Sequence, residues 1–342
     1  MTARKPKLAI LAAPESSASV LYGLYDILVS VGAMYPDMLT GTSGDALLDV
    51  QIVAASREPF RCFGNVLVEP AAAVDEADDV DVIVAADMYA PITAPPKGQW
   101  ATEAAWLRHM HDKGTLIASV CTGSLLLAEA GLLDGRSCAS HWAYRELFAT
   151  AYPQVRLRAD AILDLSHESE GLITAGGVTA WQDLALHLIR RLCGPEHAVR
   201  TAKVYLLAGH EDGQLPFAAP TQAGLVGDAV IRDALAWIDA NYAAANPVSM
   251  MTERSGLNRR TFARRFSAAT GRTPIEHVHR IRIEHARDRI EHSDAAIDDI
   301  GYQVGYEDPA FFRRLFRRTT GLTPASYRRK YAGIGAGAAL AS

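Results

Sequence analysis

The first part of the chain alternates between two patterns of apolar residues. Short continuous apolar runs at 8–12, 50–55, 80–85, 116–120 and 172–175 predict β-strands that are buried on both faces. Between them, at 19–31, 103–113, 123–132 and 180–192, apolar residues recur every three or four positions, which predicts amphipathic helices. Because buried parallel strands need helices on both faces of their sheet, this alternation predicts a doubly wound α/β domain.

A change of composition separates this domain from the rest of the chain. Residues 209–227 hold four glycines and two prolines without a helical period, which predicts a linker. The expected domains are therefore 1–208 and 228–331, and the pattern of the second predicts helices throughout. The small residues at 332–342 are expected to form a disordered tail.

Charge is distributed unequally between the two domains. The net charge is −5, but residues 1–227 hold 16 Lys+Arg against 26 Asp+Glu, whereas residues 228–342 hold 18 against 13. All but one of these 18 basic residues are arginine, whose planar guanidinium binds phosphate through two hydrogen bonds. We therefore expect the second domain to bind a phosphate-bearing partner, and charge alone leaves a solvated helical surface as the alternative.

The second domain contains an internal repeat. A shift of 50 residues pairs Phe262 with Phe312, Arg264 with Arg314, Phe266 with Phe316, Gly271 with Gly321, Thr273 with Thr323 and Pro274 with Pro324. Each copy has a short helix (250–255 or 296–303), a turn at glycine and a longer helix (259–269 or 309–319), which predicts two helix-turn-helix motifs.

The longer helix of each copy has two faces. Phenylalanines four residues apart are predicted to pack in the core, which leaves the arginines to other faces, and Asn258 and Asp308 are predicted N-caps. The duplication favours DNA binding over a helical packing unit with solvated arginines. The candidate DNA contacts are Arg259, Arg260, Thr261 and Arg264 in the first copy and Pro309, Ala310, Arg313, Arg314 and Arg317 in the second.

Composition sets outer limits on the class of protein. A length of 342 residues with 49% apolar and 21% charged residues is typical of a globular chain of two or three domains. The apolar run at 8–13 is too short for a signal-peptide core or a spanning helix, so we expect a cytoplasmic protein without a membrane partner. Four cysteines without CxxC spacing are expected to be free thiols, with no metal and no cofactor: Cys62, Cys121, Cys138 and Cys193.

One of these thiols lies at a predicted sharp turn. In the run GTLIASVCTGSLLLAEAGLLDG, Cys121 stands where a strand ends and a helix begins, and the small residues after it suit a tight turn. The partial positive charge of the helix N-terminus is expected to lower the pKa of the thiol. His141 and Trp142 are candidate neighbours of the thiol. A structural role for Cys121 and a core position for Trp142 are the alternatives.

The segment from 230 to 331 resembles the DNA-binding domain of AraC/XylS-type transcription regulators. The second copy, IGYQVGYEDPAFFRRLFRRTTGLTPASYRR, matches the signature of that family at Gly305, Tyr306, Phe312, Phe316, Gly321, Pro324, Tyr327 and Arg328. The resemblance implies two helix-turn-helix motifs in one polypeptide, joined by a helix over 275–291. It also implies that the two motifs read successive major grooves of double-stranded promoter DNA. RNA polymerase is an expected further partner.

Residues 7–193 resemble the ThiJ/PfpI branch of the class I glutamine-amidotransferase-like superfamily through SVCTGSLLLAEAGLLDG, the following SHW and LITAGGVTAWQDLALHLI. In that superfamily an acidic residue at the start of the first helix assists the cysteine, but the corresponding residue here is Ser19. Glu15 in the preceding loop is a second acidic candidate, with solvent exposure as its alternative. The missing acid implies ligand binding without catalysis, and the candidate ligand contacts are Cys121, Thr122, His141, Trp142 and Ser19.

The order of the two segments resembles that of GlxA-type regulators. We therefore expect a transcriptional activator without enzymatic activity, which dimerises through its first domain and responds to a small-molecule effector bound there. Two alternatives stay open. One is a thiol-dependent enzyme, such as an isonitrile hydratase or an amide hydrolase, joined to a DNA-binding domain. The other is a redox sensor in which oxidation of Cys121 controls DNA binding.

Overall fold

The chain folds into two compact units, Met1–Gln214 and Leu215–Ser342. The structure is a computed structural model that describes residues 4–218 and 228–335. Each unit is described separately below.

A twisted sheet forms the centre of the first unit. Its strands and two smaller strand pairs are β1 (Lys7–Leu11), β2 (Asp49–Ala54), β3 (Phe60–Arg61), β4 (Leu67–Val68), β5 (Ala72–Ala73), β6 (Val82–Ala85), β7 (Leu116–Val120), β8 (Ser137–Cys138), β9 (Arg156–Leu157), β10 (Leu163–Asp164) and β11 (Leu172–Ala175). The order in the seven-stranded sheet is β10-β11-β7-β6-β1-β2-β5, and its neighbours are parallel except β10 with β11.

Helices cover both faces of this sheet. They are α1 (Ala18–Val29), α2 (Met34–Thr40), α3 (Ala101–Asp112), α4 (Gly123–Glu129), α5 (Arg145–Ala151), α6 (Trp181–Cys193) and α7 (Pro195–Tyr205). Side chains alternate along β1, so that Ala9 and Leu11 join one core while Leu8 and Ile10 join the other. The predicted doubly wound α/β fold is confirmed.

Several short elements are absent from the sequence prediction. The two-residue strands are too short to show a hydrophobic period, and α2 has no buried residue to mark an apolar face. The helix expected over 123–132 ends at Glu129, because Ala130 and the left-handed Gly131 already belong to the following turn.

The structure differs from the sequence prediction at the expected linker. The Gln214 side chain is 2% exposed and donates hydrogen bonds to the carbonyls of Ser140 and Ala161, both at 2.8 Å. Residues 209–214 therefore belong to the first unit, and a short 3-10 turn at Leu215–Phe217 begins the second. The remaining linker residues, 219–227, lie outside the described residues.

The second unit is helical throughout its described part. Its helices are α8 (Ala229–Asn241), α9 (Pro247–Arg254), α10 (Arg259–Thr270), α11 (Pro274–His292), α12 (Ile297–Gln303), α13 (Pro309–Thr320) and α14 (Pro324–Gly335). The two predicted helix-turn-helix motifs are α9 with α10 and α12 with α13, joined by α11. Residues 332–335 are helical rather than disordered, and the rest of the expected tail lies outside the described residues.

Each motif has its own aromatic core. Phe262 and Phe266 pack in one cluster and Phe312 and Phe316 in another, and each of the four side chains is at most 1% exposed. The predicted N-caps are also present, since the Asn258 side chain accepts from Thr261 N (2.9 Å) and that of Asp308 from Ala310 N (2.8 Å). The predicted division of each longer helix into a buried and an exposed face is confirmed.

No single helix in the described ranges is long and apolar enough to cross a membrane. Helices α1 and α2, which meet at a bend of 64°, satisfy the length and composition requirement only as a pair.

Replacement of Phe312 by alanine should lower the free energy of unfolding of the second unit by about 3–5 kcal/mol, because it empties a closely packed site. The packing is tight enough that a Cβ on Gly301 would lie 2.8 Å from the Phe312 ring. Scanning calorimetry of the full chain measures the change. Phe311→Ala is the matched control, because the neighbouring Phe311 is 39% exposed. Equal losses in the two variants would contradict the assignment of Phe312 to the core.

Candidate functional site

Cys121 occupies a sharp turn between β7 and α4. Its φ is +53°, in the left-handed region that side chains other than glycine rarely adopt. Its N–H donates to the Ala175 carbonyl at 2.9 Å, and its own carbonyl accepts from Ser124 Oγ (2.8 Å) and Ser140 Oγ (2.9 Å). The structure thus contains the strand, turn and helix that the sequence predicts here.

The turn brings α4 against the end of β6. A Cβ on Gly123 would lie 2.5 Å from the Ala86 carbonyl oxygen, so glycine is required at this contact. The Thr122 hydroxyl accepts a hydrogen bond from Met88 N at 3.0 Å. Residues 86–88, which follow β6, are consequently neighbours of the thiol.

Asp87 is the acidic group in this neighbourhood. Its carboxyl is 6% exposed and accepts hydrogen bonds from Ser17 N (3.2 Å) and Ser17 Oγ (2.5 Å). Burial raises the pKa of the Asp87 carboxyl, and the Ser17 hydrogen bonds oppose this shift. In the described part of the chain, Asp87 forms no ion pair with a basic side chain.

The expected activation of the thiol is wrong. Burial, aided by the negative charge of Asp87, raises the pKa of Cys121 to about 12, although hydrogen bonds from Thr122 act in the opposite direction. The side chain is 4% exposed. Removal from water therefore outweighs the field of the short helix α4, and the thiol stays protonated at neutral pH.

Tyr144 completes the polar surroundings of the thiol. Its hydroxyl donates to the Ala90 carbonyl at 2.6 Å, and burial is the main cause that raises its pKa to about 12. We use the name Cys121 cluster for Ser17, Asp87, Cys121, Thr122 and Tyr144. Of these five residues, only Cys121 and Thr122 were predicted from the sequence.

His141 and Trp142 lie beside this cluster. Both are half-buried, their rings are 5.0 Å apart, and the His141 ring meets the edge of the Tyr144 ring at 6.3 Å. The His141 ring accepts from Ala143 N at 3.2 Å, and burial lowers its pKa. Among the described contacts, no hydrogen bond joins His141 to Cys121, so the imidazole is not arranged as a base for the thiol.

The two remaining candidates lie on the first loop and helix. Ser19 is exposed in the first turn of α1, and Ser17, two residues earlier, makes the contact with Asp87. Glu15 accepts from the side chains of Gln99 (2.7 Å) and Trp100 (3.3 Å). The carboxyl near the thiol therefore comes from the end of β6 instead of from the start of the first helix.

Gln214 ties the loop that carries His141 and Trp142 to the segment between β9 and β10. Its side-chain oxygen accepts from Trp142 N at 3.3 Å, and its nitrogen donates to the carbonyls of Ser140 and Ala161. Sequence reasoning missed this residue because it lies in a segment that resembles a linker. For Asp87 a signal existed, since it directly follows an apolar strand, where open α/β sheets place ligand-binding residues.

The first helix-turn-helix motif presents its arginines to solvent. Arg259, Arg260 and Arg264 on α10 are exposed, and none of the three forms an ion pair within the described ranges. Thr261 is half-buried. Arg265 differs, because its guanidinium binds the Asp228 carboxylate through Nε (2.8 Å) and Nη2 (2.7 Å).

The second motif presents a similar surface on α13. Ala310, Arg313, Arg314 and Arg317 are exposed, and Pro309 is half-buried in the first turn. Arg314 lies 4.0 Å from the Asp308 carboxylate, whereas Arg313 binds the Asp298 carboxylate through two nitrogens. Two cationic helix faces with buried aromatic supports are thus present, one in each motif.

Two separate parts of the chain, one in each unit, match known protein families. Residues 18–191 match the DJ-1/PfpI family and residues 251–330 match a helix-turn-helix domain. The HTH-type transcriptional regulator CdhR of Pseudomonas aeruginosa is 29% identical over 227 residues, which are 65% of this chain and 66% of that protein. The HTH-type transcriptional regulator GlxA of Rhizobium meliloti is 29% identical over 237 residues, or 68% and 71% of the two chains.

Two further similarities each cover about three fifths of the chain. An isonitrile hydratase of Pseudomonas putida is 28% identical over 217 residues, which are 63% of this chain and 85% of that enzyme. A solved structure from Vibrio parahaemolyticus, described as a transcriptional regulator protein, has a TM-score of 0.50 at 17% identity and covers 60% of this chain and all of its own. The last similarity concerns the fold alone.

The DJ-1/PfpI family match at residues 18–191 spans half of the chain. This chain therefore belongs to the DJ-1/PfpI family and carries a C-terminal helix-turn-helix domain of the AraC type.

Proposed function

We propose that this DNA-binding transcription regulator reads promoter DNA with α10 and α13 and binds a small-molecule effector at the Cys121 cluster. The observation that carries the proposal is the pair of exposed arginine faces on the two motifs, each supported by two buried phenylalanines. Arginine offers phosphate and guanine a planar pair of donors, which suits the major groove.

The surroundings of Cys121 support effector binding in the first unit. Parallel α/β sheets bind ligands outside the carboxyl ends of their strands, and both Asp87 and Cys121 follow such ends, those of β6 and β7. The cluster combines a carboxyl, a thiol and hydroxyl groups with the neighbouring rings of His141 and Trp142. These groups suit contacts with an effector that has both polar and apolar parts.

A homodimer formed through the first unit is part of the proposal. Phe63 and Tyr89 stack at 5.8 Å while 60% and 58% exposed, close to the contact of Ser17 with Phe63. Exposed aromatic side chains of this kind favour a protein partner. We further propose that the regulator is an activator and contacts RNA polymerase.

An enzymatic role is the second candidate function. The Asp87 carboxyl supplies an acid near the thiol, and one relative is an isonitrile hydratase. Against catalysis stands the thiol itself, because a nucleophilic cysteine reacts as thiolate and the surroundings of Cys121 disfavour that form. We therefore favour binding without turnover.

Replacement of Arg264 by alanine should weaken binding to an operator selected in vitro from random duplexes. Loss of a phosphate contact should flatten the slope of log K against log salt by about one unit, whereas loss of a base contact should cost about 1–3 kcal/mol at one position. Fluorescence anisotropy at several salt concentrations distinguishes the two. Arg57→Ala is the control, since it removes an exposed guanidinium from the first unit. Unchanged binding by Arg264→Ala at every salt concentration would count against the proposed surface.

Replacement of Asp87 by asparagine should abolish the stabilisation that an effector gives, because it removes the charge of the buried carboxyl while keeping its shape. The effector is first identified by a thermal-shift screen of small metabolites on the full chain. Asp79→Asn is the control, since Asp79 is an exposed carboxylate before the amino end of β6. Cys121→Ser should keep effector-dependent transcription with altered affinity. An undiminished thermal shift in Asp87→Asn would place the effector elsewhere.

The Cys121 thiol should react slowly with iodoacetamide at pH 7, and its rate should rise about tenfold per pH unit as thiolate forms. Asp87→Asn should speed the reaction at pH 8, because loss of the nearby negative charge lowers the pKa of the thiol. Peptide mass spectrometry follows each cysteine separately, and the half-buried Cys193 serves as internal reference. Wild-type turnover of an isonitrile or amide that Cys121→Ser lacks would instead establish the enzyme.

A further inference from the structure

Arg313 is held by a carboxylate within its own motif. Arg313 lies on α13 and Asp298 in the first turn of α12. Arg313 Nε donates to Asp298 Oδ1 at 3.1 Å, and Nη2 donates to Asp298 Oδ2 at 2.5 Å and also contacts Oδ1. A two-point contact of this kind fixes the plane of a guanidinium as well as its position.

The hydrogen bonds leave one nitrogen of the guanidinium available. A guanidinium has five N–H donors, and the Asp298 oxygens contact those of Nε and Nη2. Nη1 has no hydrogen-bond partner in the described part of the chain, and its donors suit the O6 and N7 acceptors of guanine in the major groove. The carboxylate therefore orients the arginine and leaves Nη1 to approach a base.

The first motif lacks both members of this pair. The internal repeat aligns Arg313 with Ala263 at a shift of 50 residues. In the short helix and its turn the shift is 49, as the pairing of Gly256 with Gly305 shows, and it aligns Asp298 with Ser249. Arg314, by contrast, is matched by Arg264 in the first motif. The arginine and its carboxylate thus occur together in the second motif, and both positions are uncharged in the first.

We propose that Asp298 is a positioning residue that holds Arg313 to read one guanine in the part of the operator bound by the second motif. The inference rests on the proposed DNA binding by α13. In the absence of Asp298, Arg313 keeps its charge but loses its fixed plane, so it binds neighbouring phosphates as readily as a base. Asp298 thereby converts a general attraction to DNA into a preference for one base pair.

The pair is suited to a test by substitution because it contributes little to folding. The Arg313 and Asp298 side chains are 51% and 42% exposed, and ion pairs with such exposure add little stability. Asp299 provides a matched control. It is the next residue in the first turn of α12, it is exposed, and it forms no ion pair in the described part of the chain.

The experiment compares full-length wild type with Asp298→Ala, Asp299→Ala, Arg313→Ala and the double variant Asp298→Ala/Arg313→Ala. Each protein selects from random duplexes, and affinities are then measured for the wild-type operator and for single-base substitutions of it. We expect Arg313→Ala and Asp298→Ala to lose about tenfold discrimination at the same guanine. The double variant should lose no more than Arg313→Ala, because the two residues act through one contact. Asp299→Ala should keep the wild-type preference.

Three results overturn the inference. Asp298→Ala retains the preference for guanine, or it strengthens that preference, which would mean that Asp298 withholds the arginine from DNA. Alternatively, Arg313→Ala shows no loss at any base. Failure of the proposed function looks different, because wild type would then select no sequence at all.

Discussion

The left-handed backbone of Cys121 is the constraint on which the arrangement of the first unit depends. A side chain other than glycine at φ +53° costs free energy, of the order of 1–3 kcal/mol, and persists where its surroundings hold it. Here the Ser124 and Ser140 hydroxyls bind the Cys121 carbonyl, and the glycine that follows lets α4 approach β6 closely. The same turn therefore aims the thiol, sets the start of α4 and brings the end of β6 beside it.

The two units differ in whether their ionisable side chains are buried or exposed. In the first, the titratable groups of the Cys121 cluster are withdrawn from water, and their pKa values are shifted toward the neutral forms. In the second, the apolar side chains of α10 and α13 are withdrawn and the guanidinium groups stay in solvent. A buried polar cluster favours selective recognition of a small molecule, and an exposed cationic face favours a polyanion.

The parts of this structure that were predictable from the sequence depend on local pattern. Each predictable feature of the second unit belongs to a contiguous segment of the chain. These features are the phenylalanines four residues apart, the N-caps at Asn258 and Asp308, and the repeat at 50 residues. The apolar runs likewise predicted the long strands and their helices. For the candidate site, the turn at Cys121 was predictable on the same grounds.

Contacts between distant segments were not predictable in this way. The Ser17 contact of Asp87 spans 70 residues, and the Gln214 contacts span 53 to 74. The resemblance placed a carboxyl position at Ser19 on the first helix, whereas the fold supplies the carboxyl from a neighbouring strand. The pKa of Cys121 was also misjudged, because a helix terminus is visible in sequence and the depth of burial is not.

The position of Gln214 has a consequence for dissecting the protein into fragments. Glycines and a proline around it suggest a safe place to cut the chain, yet its amide fills the space next to Gly176, where a Cβ would lie 2.2 Å from the Gln214 nitrogen. A first unit that ends at residue 208 would leave the carbonyls of Ser140 and Ala161 without their donor and a void beside the sheet. Fragment boundaries drawn from composition alone would thus disturb the loop of His141 and Trp142, and a fragment that retains Gln214 is the sounder basis for ligand screening.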